Sequence, residues 1–379
     1  MLSLKRQGNK TTRLNGNELN SRLMNVKVAN NPDSTGTTQR IQYIDALRGA
    51  TMILVVFYHV SQFCWHVCGK GISIQDYLVQ VRMPMFFFIS GFVLYKHSEM
   101  WDRQHITKFF GKKIPVQLIS PFIFFVAYIF VREKPFVESI LSPGKSGYWF
   151  TWVLLEYYLI YAFVRFFIRG KWAHWVMLVL GVIFYNIGRP AVYGAIPLTQ
   201  TVKDALSIPL WSYFIFFVLG TLAKKHFQQV ERALDSPSLP TCCILFYFLV
   251  NVFRSYFTTG VTVIEFMLTI SGMAIMFGFF RKNQASFSNK HRLGIILQYV
   301  GRRTLDVYLI HYFLIPRQLG KVTTIFTDHP MPFVEATVSF IIACIIVAVC
   351  LLIGNIIRLS PFLAQWVFGA KPLHRQYNL

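Results

Sequence analysis

The sequence predicts an all-α protein, a polytopic transmembrane helix bundle of about ten spans with both termini in the cytoplasm. Of its 379 residues, 54% are hydrophobic and 14% are charged, whereas an ordinary soluble domain carries about 25% charged residues. The apolar residues form blocks of roughly 17 to 25, the length of helix that crosses a bilayer, and short basic stretches separate these blocks. This composition argues against a soluble cytosolic enzyme.

Three parts are predicted along the chain. Residues 1–40 are basic and rich in Asn, Thr, Ser and Gly without an apolar run, which is typical of a disordered tail. Residues 41–360 form the transmembrane domain, and residues 361–379 form a cytoplasmic C-terminal tail. The predicted spans are 44–63, 78–96, 114–131, 148–168, 172–188, 209–223, 240–256, 261–280, 303–319 and 333–357.

The distribution of Lys and Arg predicts the orientation. With both termini in the cytoplasm, the cytoplasmic segments hold 27 of the 38 Lys and Arg residues, and the outer segments hold 9. Basic residues concentrate on the cytoplasmic side of membrane proteins. The net charge of +22 is therefore mainly a record of topology, and we expect no nucleic-acid partner.

The ninth span is the least secure, because GRRT at 301–304 interrupts the apolar run that begins at Leu293. The alternative is a cytoplasmic interfacial helix over 287–300. Both choices keep the two termini on the same side.

Two ionisable residues in the first span carry the main functional signal. An ionisable group inside a span costs several kcal/mol and marks a functional site by default. Arg48 and His59 are eleven residues apart, close to three helical turns, so both lie on nearly one face about 16 Å apart. Arg48 can bind a phosphate bidentately, and His59 can take up and return a proton. The structural alternative is that Arg48 snorkels and His59 bonds another helix.

Further candidates lie in three other spans. Arg82 is near the outer end of the second span, and Glu156 is near the middle of the fourth, where its natural partners would be His59 or Arg82. Tyr308 and His311, in TLDVYLIHYF, are three residues apart on one helical face and either bind a hydroxylated acceptor or pair as interhelical contacts.

A basic cytoplasmic segment, WDRQHITKFFGKKIP, precedes the third span and contains Lys112 and Lys113. Contact with anionic lipids explains it most simply, and a cradle for a donor's phosphates is the sharper alternative. The six cysteines suggest neither a disulfide framework nor a zinc site, and we expect no bound metal. Cys64 and Cys68 are either two small apolar residues or a surface disulfide.

Four motifs together resemble the integral-membrane acyltransferase family 3. They are IDALRGATMILVVFYH with Arg48 and His59, MPMFFFISGF at 83–92, WF at 149–150 and LDVYLIH at 305–311. The second motif resembles the subgroup that contains the polysaccharide-modifying intercellular-adhesion proteins more than the subgroup with an aspartate at the Pro84 position.

The resemblance implies an enzyme that transfers an acyl group from cytoplasmic acyl-CoA to a carbohydrate. It implies that His59 is catalytic and that Arg48 binds acyl-CoA, a co-substrate rather than a bound cofactor. Gln117 stands where related sequences often carry arginine, so Lys112 and Lys113 are expected to contact the donor's phosphates instead.

We therefore expect an O-acyltransferase, most simply an O-acetyltransferase, in a bacterial inner membrane. Glu156 is expected to orient and charge-balance His59, and Arg82, Tyr308 and His311 to support acceptor binding. The acceptor would be a surface polysaccharide or a lipid-linked glycan, and membrane lipids surround the protein. The competing interpretation is a transporter or glycan flippase that uses the same charges as a substrate or proton path. A lipid-binding scaffold is a third class.

Overall fold

The computed structural model describes residues 40–96, 101–168, 170–253, 256, 260–317 and 319–369. The predicted tail, except for its last residue, and the last ten residues of the chain lie outside the described residues. Contacts divide the chain into residues 1–41 and residues 42–379, and every described helix lies in the second unit. All regular structure in the described part is helical, which confirms the predicted fold class.

The described residues form seventeen helices, which we number in chain order. They are α1 (Gln42–Cys64), α2 (Gln75–Leu94), α3 (Arg103–Val131), α4 (Phe136–Leu141), α5 (Trp149–Phe167), α6 (Trp172–Ile187), α7 (Pro190–Ala195), α8 (Gln200–Ala205), α9 (Phe214–Lys225), α10 (Phe227–Asp235), α11 (Ser238–Val252), α12 (Val261–Lys282), α13 (Arg292–Arg302), α14 (Thr304–Leu314), α15 (Ile325–Asp328), α16 (Pro332–Ile357) and α17 (Pro361–Phe368). Tight 3-10 turns precede α5, α9 and α15 at Lys145–Gly147, Ile208–Tyr213 and Gly320–Thr324.

Six helices of the described part are long and apolar enough to cross a membrane, namely α1, α2, α3, α5, α12 and α16. The pair α10 and α11, bent by 73°, makes a seventh if it counts as one span, and α6 is a shorter apolar helix. A helix occupies each of the ten predicted positions, but several are shorter than a bilayer is thick. Ten spans therefore stays a prediction.

One turn of α3 departs from regular α-helix. Pro115 has no N–H to donate, which interrupts the bonding pattern, and Pro115–Ile119 forms a π-helical turn. The hydroxyl of Ser120 donates to the Pro115 carbonyl oxygen at 3.0 Å. Such turns are common at functional sites, and this one carries Val116 and Gln117.

Helix α1 crosses α13 at the closest approach its backbone allows. A Cβ on Gly49 would lie 2.0 Å from the Leu297 carbonyl oxygen, and one on Gly301 would lie 1.9 Å from that of Asp45. Gly91 brings α2 against α9 in the same way. Small residues at such crossings let helix backbones pack closely in membranes, so these contacts position α1 and α2.

The helix over 287–300, predicted as the alternative to an early start of the ninth span, corresponds to α13. Helix α13 ends at Arg302, and α14 begins at Thr304, so the interruption by GRRT separates two helices. The carboxylate of Asp306 lies just beyond the break. It accepts from Arg358 at 2.6 and 3.0 Å and from Arg303 at 3.3 Å, which ties α14 to the end of α16.

The predicted C-terminal tail begins with ordered structure. Residues 361–368 form α17, whose Phe368 is buried and stacks on Phe124 of α3 with ring centroids 6.3 Å apart.

Candidate active site

A cavity of about 290 Å³ lies between α1, α2, α3, α5 and α14. Its lining includes four of the eight ionisable groups that the sequence singled out, namely Arg48, His59, Arg82 and Tyr308, together with aromatic and aliphatic side chains. The polar residues that line it are Arg48, Tyr58, His59, Arg82, Gln117, Thr151, Tyr213, Thr304, Tyr308 and Tyr312. A mostly apolar cavity with a few convergent polar groups is the usual form of a small-molecule site.

His59 is held by two hydrogen bonds to α14. Its Nδ1 lies 3.0 Å from His311 Nε2, and its Nε2 lies 3.1 Å from the hydroxyl of Tyr312. The two imidazole planes differ by only 15°, so the rings meet edge to edge in nearly one plane. His59 and His311 are 252 residues apart in sequence.

The hydrogen bonds of His311 assign the tautomers. His311 Nδ1 lies 2.9 Å from the Val307 carbonyl oxygen, which can only accept, so Nδ1 of His311 carries the hydrogen. In neutral His311, Nε2 is then an acceptor, and Nδ1 of His59 must donate to it. The lone pair of His59 therefore sits on Nε2, which accepts from Tyr312 and belongs to the residue that lines the cavity.

Arg82 is buried beside this cluster, and no acidic side chain among the described residues pairs with it. It is 7% exposed, and its Cζ lies 3.3 Å from the centroid of the Tyr58 ring. Its Nη1 is buried with no hydrogen-bond partner, and none of the ion pairs within the described part of the chain includes it. The cavity thus holds a positive charge that the described side chains do not neutralise.

Arg48 lines the same cavity, as the eleven-residue spacing from His59 predicts. Its side chain is half-buried. Three turns of α1 separate it from His59 by about 16 Å along the helix, so the cavity has a guanidinium toward its predicted cytoplasmic end and an imidazole toward its predicted outer end.

Glu156 has neighbours other than those expected. The sequence suggested His59 or Arg82 as its partner, but its charged neighbour is Lys145, and the indoles of Trp152 and Trp211 are its hydrogen-bonding neighbours. Lys145 lies in the turn before α5 and donates to the Ile140 and Ala205 carbonyl oxygens at 3.1 and 3.3 Å. Burial lowers the pKa of Lys145, and Glu156 opposes that shift.

The physical reason is the direction of the side chain from α5. Thr151 and Leu154 of this helix face the cavity, and Glu156 projects toward Lys145 instead. One residue of helix advances the side chain by about 100°, so depth in the membrane alone could not specify which neighbour the carboxylate meets.

The other sequence candidates divide into two groups. Tyr308 lines the cavity, and its hydroxyl donates to the Gly147 carbonyl oxygen at 3.3 Å. His311 is not among the residues that line the cavity, and it is hydrogen-bonded to His59. Lys112 is exposed, and Lys113 lies with its Nζ 4.8 Å from the Tyr158 ring centroid, both outside the residues that line the cavity.

Comparison with known protein families shows the family of the chain. A family model described as an acyltransferase domain, Acyl_transf_3, matches residues 41–354, which is more than four fifths of the chain. The chain belongs to this acyltransferase family. Neither the curated proteins nor the solved structures contain a significant match to it. The predicted family and enzyme class are confirmed, and the acyltransferase is an integral membrane protein.

Several residues of the candidate site were not selected as site residues from the sequence. Tyr312 lies next to His311 in the TLDVYLIHYF motif, yet only the structure shows that its hydroxyl bonds His59. Gln117, named in the sequence only for differing from related sequences, reaches the cavity from the π-helical turn, and Tyr58 packs against Arg82. Polar side chains within apolar blocks were the available signal for all three. All six cysteines, including Cys64 and Cys68, are free thiols.

Proposed function

We propose that this acyltransferase moves an acyl group, most simply acetyl, from cytoplasmic acyl-CoA to a hydroxyl of a surface polysaccharide or lipid-linked glycan. The observation that carries the proposal is the single cavity lined by Arg48 and by the His59–Tyr312 pair. A transferase that meets its donor and acceptor from opposite sides of a membrane needs such a continuous site.

His59 acts as the general base in this proposal. An acceptor hydroxyl replaces the Tyr312 hydroxyl at His59 Nε2 and gives its proton to that nitrogen as its oxygen attacks the thioester carbonyl carbon. The carbon–sulfur bond then breaks, and the CoA thiolate takes the proton from His59. The products are the O-acyl ester and free CoA, so atoms and charge balance. Transient acylation of Nε2 is the alternative route with the same groups.

The arginines have separate proposed roles. Arg48 binds a phosphate of acyl-CoA, because a guanidinium matches phosphate geometry with two parallel bonds. Lys112 and Lys113 attract the same phosphates at the predicted cytoplasmic end of α3. Arg82 supplies positive charge near the reacting carbonyl, where a preorganised donor stabilises the developing oxyanion.

Tyr308 and His311 are proposed to support the cluster, His311 by fixing the tautomer of His59. Glu156 takes no part in the proposed reaction, because its charged neighbour is Lys145. The proposed location is a bacterial inner membrane. The proposed orientation has both termini in the cytoplasm, which the excess of 27 over 9 basic residues supports.

The test is acyl transfer from radiolabelled acetyl-CoA to membrane glycans in vesicles that contain the full chain. His59→Ala should lower transfer by about 100-fold or more, the usual contribution of a general base. Arg48→Gln should mainly raise the KM for acetyl-CoA. His174→Ala, which removes another buried histidine, is the matched control.

Unchanged labelling of glycans in His59→Ala would contradict the catalytic assignment. Glycan movement across the vesicle membrane without release of CoA would favour the transporter interpretation.

A further inference from the structure

A second cavity adjoins the catalytic one at the predicted outer end of α1 and α2. Its volume is about 660 Å³, within the range of ligand sites. We call it the outer vestibule. It is lined by Tyr58, Gln62, Cys68, Gly69, Gly71, Gln75, Asp76, Tyr77, Val79 and Asn251.

Two amide oxygens of the outer vestibule have no partner. Gln75 is 1% exposed, and its Nε2 donates to Ser61 at 3.5 Å, whereas its Oε1 is buried without any hydrogen bond. The Oε1 of Gln62 is likewise buried and unpaired. Buried acceptors without partners are costly and uncommon. A ligand that brings hydroxyl donors would satisfy both.

The loop that walls the outer vestibule is firmly anchored. Trp65 donates to Ser339 at 2.9 Å, and Ser339 and Ser73 donate to the two oxygens of Glu335 at 2.8 and 2.9 Å. Glu335 is 1% exposed, so this network is buried. Side chains held by such a shell give a preorganised site.

A second set of bonds shapes the tip of the same loop. The carboxylate of Asp76 accepts from the backbone N–H groups of Gly69 and Gly71 at 2.6 and 2.7 Å. Among the lining residues that the structure describes, Asp76 carries the only charge. A carboxylate at this position opposes an anionic ligand and leaves a neutral one unaffected.

Tyr58 joins the outer vestibule to the catalytic cavity, since it lines both. Its ring centroid lies 5.5 Å from that of His59. Gln62 follows Tyr58 by one helical turn and therefore lies on the same face of α1, about 6 Å further out. A sugar held at Gln62 could direct a hydroxyl past Tyr58 to His59.

We infer that the outer vestibule is the acceptor subsite and that it takes an uncharged, hydroxyl-bearing sugar unit, bound through the amide oxygens of Gln62 and Gln75. This inference rests on the proposed function for the identity of the reaction. The binding itself needs no turnover, so it can be tested separately.

The test labels a cysteine placed in the outer vestibule. Val79 is 40% exposed and lines it, so Val79→Cys should react with a membrane-impermeant maleimide added to intact cells. Cells with the wild-type chain give the background. Native Cys68 also lines the vestibule, and burial raises the pKa of its thiol to about 12, which lowers its reactivity. The probes are neutral methyl glycosides of glucose, galactose and N-acetylglucosamine, and the charged methyl glucuronide.

At least one neutral glycoside should protect Val79→Cys, and the glucuronide should protect less well. Gln75→Leu and Gln62→Leu should each raise the protecting concentration by about tenfold or more, because an unpaired ligand hydroxyl is costly. Gln80→Leu is the matched control, since it makes the same change on α2 outside the residues that line the vestibule. If Gln75→Leu fails to fold, Gln62→Leu carries the test.

The inference is overturned if no neutral glycoside protects, if the glucuronide protects equally well, or if Gln80→Leu has the effect of Gln62→Leu. Loss of acyl transfer with normal protection would leave this inference standing, and active transfer without protection would remove it alone. In the active enzyme, Gln62→Leu should raise the KM for the acceptor while the KM for acetyl-CoA stays constant.

Discussion

Replacing His311 with phenylalanine tests the tautomer assignment of His59 directly. His311→Phe keeps a planar ring in a position that is completely buried, but it removes the acceptor 3.0 Å from His59 Nδ1. His59 would then lose the bond that keeps its lone pair on Nε2. We expect slower acyl transfer, with the protein still folded and His59 still present.

The size of the effect follows from the charge on His59 during the proposed reaction. When Nε2 takes the acceptor's proton, Nδ1–H donates from a cationic ring, and hydrogen bonds of charged groups contribute about 1.5–3 kcal/mol. Each 1.36 kcal/mol of barrier is a factor of ten in rate. The rate constant kcat should therefore fall roughly 10- to 100-fold, less than for His59→Ala, with little change in the KM for acetyl-CoA.

The assay is CoA release and label transfer with purified full-length enzyme in lipid nanodiscs, across a range of pH. His174→Phe is the control, since it replaces another buried histidine with the same ring. A kcat for His311→Phe equal to that of the wild type would refute the assignment. So would an equal loss in the control, which would indicate general damage.

Three further predictions concern the rest of the structure. Gly301→Leu should destabilise the protein by about 3 kcal/mol or more, the upper end for overpacking, because even its Cβ would lie 1.9 Å from the Asp45 oxygen. Thermal unfolding measures this. The control is Gly111→Ala, whose new Cβ has nothing within 4 Å and which should stabilise the protein by about 0.5–1 kcal/mol. Asp306→Asn should destabilise the protein by about 3 kcal/mol, because it leaves two arginines without their shared carboxylate. Asp235→Asn removes a carboxylate that is half exposed and should cost about 0–1 kcal/mol. Equal effects of the two substitutions would contradict the buried network. Tyr312→Phe should retain more activity than His311→Phe, since the acceptor displaces the Tyr312 hydroxyl in the proposed reaction. The two kcat values decide, and a larger loss in Tyr312→Phe would mean that this hydroxyl takes part in the chemistry.

The sequence predicted the fold class and the position of each main helix because apolar blocks and charge breaks are local signals. Arg48 and His59 were also found locally, since eleven residues of one helix determine their relative direction. The short lengths of α9 and α14 could not be predicted in this way. Turns such as Ile208–Tyr213 contain apolar residues, and in the sequence these look like part of a membrane span.

Contacts between distant residues were not predictable from one sequence. His59 and His311 were both selected, yet their bond depends on how α14 packs against α1. Glu335 was overlooked, although a carboxylate in an apolar block is the expected signal, and its partner Ser73 is 262 residues away. The predicted partner of Glu156 was wrong for the same reason, since the packing of α5 decides which side chains this carboxylate meets.

The pairing of His59 with a second histidine rather than a carboxylate suits a site within a membrane. A carboxylate buried next to His59 would carry its charge in the resting enzyme, and the cost of desolvating a buried charge can exceed the gain from pairing it with a partner such as Arg82. A neutral imidazole accepts the same Nδ1–H bond without that cost. The nearby charge of Arg82 moreover opposes a cationic His59 until negative charge appears. In the proposed reaction that charge arrives with the oxyanion and the CoA thiolate, so proton transfer to His59 is favoured only when donor and acceptor are both bound.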